Sequence, residues 1–153
     1  MRFSELYKVV NVIKPADNQA GVAGDSINGG AAQDIMWILT CGALTGDAVL
    51  TVKSGASTGT ETTSETFHYR LADADQAAAG ADAFGDWTNS SSLTLTAATY
   101  DNRTLLIEFD PREATAGQPW LTLAISAAAD VHTSAVVAIV APRYASHDAP
   151  TVI

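Results

Sequence analysis

DIMWILTCGALTGDAVLTVKSG, residues 34–55, decides the fold. Its side chains alternate with a period of two: Ile35, Trp37, Leu39 and Cys41 share one face, Met36, Ile38 and Thr40 the other. After a break at Thr45–Asp47 the alternation restarts, with Leu50 and Val52 set against Val49, Thr51 and Lys53. Only an extended strand places successive side chains on opposite faces. The Thr-Gly-Asp break between the two runs reads as a hairpin loop.

The same period recurs outward from this stretch. Phe67, Tyr69 and Leu71 oppose His68 and Arg70, Leu93 and Leu95 oppose Thr94 and Thr96, and Leu105, Ile107 and Phe109 align. Leu121, Leu123 and Ile125 align in turn, and AVVAIVA (135–141) is apolar on both faces, as a central core strand would be. Tyr100–Arg103 reads as a second hairpin-like turn. DPREATAGQP (110–119) carries the signals of one short helix: Asp110 as cap, Pro111 in first place, Glu113 at the capping-box position and Gly117 at the end. Residues 72–84 admit a second, weaker helical turn, against which Gly80 and the aspartates weigh. The expected fold is all-β, a single-domain β-sandwich or jelly-roll-like barrel with one or two short helical turns and an N-terminal arm or strand.

The opening SELYKVVNVIKPADNQAGVAGDSINGG (4–30) admits two readings. Leu6, Val9, Val10 and Ile13 fit helical spacing, but the β-branched Val9, Val10, Val12 and Ile13 favour a strand, which Pro15 should end. Such a strand pairs either within its own sandwich or with the sheet edge of a neighbouring subunit. The expectation carried forward is the neighbour. It divides the chain into an arm and linker, 1–30, and a sandwich domain, 31–153, ending in an extended tail with Pro142 and Pro150.

At 153 residues the chain is long enough for one domain with its own core. Seventeen acidic against eight basic residues give a net charge of -9, which opposes binding to nucleic acid or an anionic membrane. Cys41, the single cysteine, excludes an intramolecular disulfide and reads as a small buried hydrophobe. Lys8 and Asn11 interrupt the opening apolar run, so a signal peptide is not expected, and Ala135–Ala141 is too short to span a bilayer.

Chemistry-bearing constellations are missing from the sequence. His68, His132 and His147 are scattered, with His68 expected to face solvent on its strand. The aspartates Asp73, Asp75, Asp82 and Asp86 fail the calcium-loop pattern, because Ala77 holds the third ligand position and Phe84 the place of the bidentate glutamate. Glu108 and Asp110 share a strand face, where helix capping by Asp110 is the simpler role than acid/base work. No G-x-S-x-G elbow occurs, and GDSINGG lacks the lysine of a phosphate loop. The expectation is therefore no enzyme, no metal and no cofactor. Trp87, Trp120 and Tyr100 at strand edges support the alternative of a lectin-like, sugar-stacking module.

Taken in order, SELYKVVNVIKPAD, GDSIN, ILTCGALTGDAVLTVKSG, FHYRL and VVAIVAPRYA resemble the small decoration, or cement, proteins on the heads of tailed bacteriophages. The resemblance implies a β-rich, non-enzymatic protein on the outer surface of the virion, assembled in the host bacterial cytoplasm. Its implied partners are the major capsid protein and neighbouring copies of itself, as in a trimer; a neck or tail position is the alternative on the particle. Leu6, Tyr7, Val9, Val10, Ile13, Pro142, Arg143 and Tyr144 are then the candidate interface residues.

Overall fold

A computed structural model describes residues 2–143. After a single helical turn, α1 (Phe3–Leu6), the chain forms β1 (Lys8–Asp17), β2 (Val22–Ala23) and β3 (Ile27–Asn28). The long β4 (Ala32–Leu44) and β5 (Ala48–Gly55) follow, then β6 (Thr63–Glu65), β7 (Phe67–Leu71), β8 (Thr88–Ser90) and β9 (Leu93–Leu95). A helical turn, α2 (Ala97–Tyr100), leads into β10 (Thr104–Phe109), β11 (Trp120–Ile125) and β12 (His132–Pro142). All pairings are antiparallel. One six-stranded sheet has the order β1-β12-β4-β10-β7-β8, and a second has β2-β11-β5-β6, with β3 also on β11 and β9 on β5. This is the expected all-β sandwich.

The alternation read from the sequence selects the core. Ile35, Trp37 and Leu39 of β4, Leu105 and Ile107 of β10, and Val136, Ala138 and Val140 of β12 point inward from the larger sheet. They meet Leu50 and Val52 of β5 and Leu121, Leu123 and Ile125 of β11 from the smaller one. Cys41 is buried among them; burial, reinforced by the charge of Asp101, pushes its thiol up to about 12, so it is no thiolate at neutral pH.

Three expectations are corrected. First, the turns at Thr45–Asp47 and Tyr100–Arg103 are corners between sheets and not hairpins, because β4 and β10 lie in one sheet while β5 and β9 lie in the other. The corners brace each other: the Leu44 N–H donates to Asp101 Oδ1 (2.8 Å) and the Asn102 N–H to the Gly42 carbonyl (3.1 Å). Gly46 permits the close crossing, since a Cβ there would lie 2.5 Å from the Asp130 backbone nitrogen. Second, the expected helix after Asp110 is only a 3-10 turn, Pro111–Glu113, with Asp110 accepting from the Arg112 N–H.

Third, the strands between Lys8 and Asn28 are part of the sandwich. Strand β1 lies antiparallel to β12 of the same chain, and β2 and β3 add to β11. Pro15 does not end β1; the strand runs through it with two register shifts, the second of which spans the proline. Between Asn11 and Ile13 the strand carries one residue more than β12, and it gains another between Ile13 and Ala16. The first bulge lets the consecutive Val12 and Ile13 both turn into the core, while the bulged Val12 carbonyl accepts from the Asp25 N–H (3.1 Å). The second sits at Pro15 on an edge strand, where a missing N–H leaves no ladder bond unmade. Asn18 then ties the end of β1 to β12, donating to the Ser134 carbonyl and hydroxyl.

Candidate docking face

The outer face of the larger sheet is apolar at its middle and polar toward its β7–β8 edge. Opposite the core, register pairing lines up a row across the outer face: Val9, Ile139, Met36, Glu108, His68 and Asn89. The adjacent row is Asn11, Val137, Ile38, Leu106 and Arg70. At the middle of this face Met36, Ile38, Leu106, Val137 and Ile139 are only half-buried. The run AVVAIVA is thus not enclosed on both sides; its odd-numbered residues remain partly open to solvent. Apolar side chains continue onto β1, where Val9 is 57% exposed.

One end of this face is hollowed. α1 stands beside it, closed by the Glu5 carboxylate accepting from the Arg2 N–H (2.8 Å), with the Phe3 and Tyr7 rings packed at a tilt of 32°, 4.6 Å between centres. Phe3 and Tyr7 form one wall of a hollow of about 490 Å³ whose floor includes Met36, Phe109, Ile139 and Ala141. Ile35, Asp34, Glu108, Asp110 and His68 complete the lining. Asp110 is engaged by Arg112, whose Nη2 lies 2.6 Å from Oδ2; that hydrogen bond holds the Asp110 carboxyl below the usual carboxylate range. His68 Nδ1 is 2.5 Å from Asn89 Oδ1.

The residues named from the sequence divide between the two faces. Val10 and Ile13 are withdrawn into the chain's own core and cannot offer a surface. Val9 stands on the outer face, Tyr7 lines the hollow and Leu6, on α1, is 40% exposed. Pro142 ends β12 near the same end of the sheet, and the Arg143 N–H donates to the Ala31 carbonyl (2.9 Å). Tyr144, like His147 and Pro150, lies outside the described residues. Asp34, Met36, Ile38, Leu106 and Ile139 were missed. Their signal was the second apolar face of β4, β10 and β12, which reads equally well as a strand buried on both sides.

Other candidates disperse. Trp87 sits before β8 with the Arg70 guanidinium 5.1 Å from its ring, Trp120 starts β11 in the opposite sheet, and Tyr100 is buried. No common stacking platform joins them. Asp75 pairs with Arg103 at 3.4 Å, and among the described residues no group of three or more His, Cys, Asp or Glu side chains gathers to hold a metal. His132 is fully buried, with no hydrogen-bond partner for either ring nitrogen among the described residues. No helix of the described residues is long and apolar enough to cross a membrane.

No family model matches the chain, and no curated protein matches its sequence. Among solved structures, the fold is similar to that of the SPBc2 prophage-derived protein YomS. The two are 12% identical with a TM-score of 0.52, over 87% of this chain and 92% of that one. At that identity the likeness is one of fold alone.

Proposed function

We propose that this chain is a non-enzymatic structural protein of a phage particle, a decoration protein that binds the outside of the capsid lattice through the outer face of its larger sheet. The observation that carries the reading is that face: half-exposed Met36, Ile38, Leu106, Val137 and Ile139 run on into the exposed Val9. A contiguous apolar patch rimmed by polar residues marks a protein contact surface. The fold likeness to a prophage-derived protein supports a phage context, as does the resemblance of the strand sequence to head decoration proteins. Bound across junctions between capsid subunits, such a protein adds buried interface that outward pressure on the shell must break.

The test is the number of copies in purified particles from the strain that encodes the chain. A lattice site recurs with every capsomer, so decoration predicts copies on the order of hundreds. A handful would place the protein at the neck or tail, and none would refute a role on the virion.

A further inference from the structure

The hollow at the end of the docking face specifies what enters it. Its floor and aromatic wall, Met36, Ile139, Phe3 and Tyr7, are apolar, whereas its rim carries carboxylates. Arg112 pairs with Asp110 and its charge also reaches Asp34, so one cation serves two of the three rim carboxylates; Asp34 and Glu108 are both exposed, and neither belongs to an ion pair among the described residues. Met36 pairs with Glu108 across the sheet and Asp34 lies two residues along β4. The two carboxylates are therefore diagonal neighbours on one face, about 7–8 Å apart along the backbone with Cβ atoms somewhat closer. That spacing suits one ammonium or guanidinium seated between them.

From this geometry we propose that the hollow receives an extended segment of the partner protein carrying a lysine or arginine between apolar residues. The cation lies between Asp34 and Glu108, and its apolar neighbours lie on Met36, Ile139 and the Phe3–Tyr7 wall. A second copy of this chain is the wrong occupant by charge, because at -9 it brings further negative potential to an acidic rim. The proposal rests on the docking-face reading above and adds the chemistry of the partner.

The probe is a fluorescein-labelled nonapeptide alternating Val or Thr with Lys and Arg, compared with counterparts bearing Glu or Gln at the charged places. By fluorescence anisotropy with the full chain, the basic peptide should bind about five- to tenfold more tightly than the Gln peptide, the acidic one least, and 0.5 M salt should compress the differences. An Asp34→Lys/Glu108→Lys double variant should reverse the order, and the milder Asp34→Asn/Glu108→Gln should abolish it with an unchanged melting transition. Failure of the basic peptide to bind, equal binding of all three, or a preference that survives both variants overturns the proposal. Self-association in sedimentation that the same variants abolish also overturns it, in favour of a second copy. Attachment to particles separates the two claims. Wild-type attachment that the charge swap leaves intact defeats the cationic segment and spares the decoration reading; an intact peptide preference without attachment does the reverse.

Discussion

Leu106 and Ile107 are neighbours on β10 with similar side chains, yet they belong to different environments. Ile107 is fully buried between the sheets, and Leu106 lies half-open on the outer face. The same contrast runs through β4 and β12, where Trp37 and Ala138 are sealed while Met36, Ile38, Val137 and Ile139 are not. An antiparallel sheet with a solvated face normally alternates apolar with polar residues. Here the middle of both faces is apolar, but the fold covers only one. The uncovered face is what a partner would complete.

Removing an edge strand from that sheet should produce the largest effect. Deleting residues up to Lys14 uncovers the inner face beside β12, and the lost burial of Val10, Val12 and Ile13 is worth roughly 1.5–3 kcal/mol each. The truncated chain should unfold or aggregate at room temperature. A cooperative melting transition close to that of the full chain would instead mean that β1 is dispensable to its own core.

A sharper version of the comparison uses the adjacent pair. Ile107→Ala should destabilise by about 2–5 kcal/mol through lost transfer energy and a residual cavity, and Leu106→Ala by about 1 kcal/mol or less. Urea unfolding measures both. Equal losses would show that the outer face is as well packed as the inner one.

Acidification probes the buried polar groups at a smaller scale. Burial holds His132 below its ordinary value of 6.5, so the unfolded chain takes up its proton first and stability falls as pH drops below 6.5. Burial pushes Glu65 upward, but hydrogen bonds from Ser54 and Thr115 outweigh it and leave the carboxyl below 4.5; its contribution is present above that value and is lost on further acidification. Between pH 7.5 and 5.5 the melting temperature should therefore decline, and His132→Leu should flatten that decline without changing the one below pH 4.5. A wild-type melting temperature constant down to pH 5 would contradict the buried, unpartnered imidazole.

Much of the scaffold was legible. β5, β7 and β10 have the bounds that their alternation implies, since five or more residues display a period clearly. β2, β3, β6 and β8, of two or three residues, have no period to read. The turn at Thr45–Asp47 was located correctly but its consequence was not, because turn residues encode a reversal and not which sheet the next strand joins. The N-terminal strand was legible as a strand, whereas its partner was not: an apolar edge strand suits its own sheet as well as another's. The outer face was visible as Met36, Ile38 and the doubly apolar β12. Only the arrangement of the second sheet reveals which face stays uncovered.

The most direct test of the docking face places a charge at its centre. Val137 lies on the outer face between Asn11 of β1 and Ile38 of β4, half-exposed, so Val137→Arg should leave the melting transition of the free protein within a few degrees of wild type. Binding of that variant to purified particles lacking the chain, measured by co-sedimentation, should fall at least tenfold. Undiminished binding by a folded Val137→Arg protein would contradict the account.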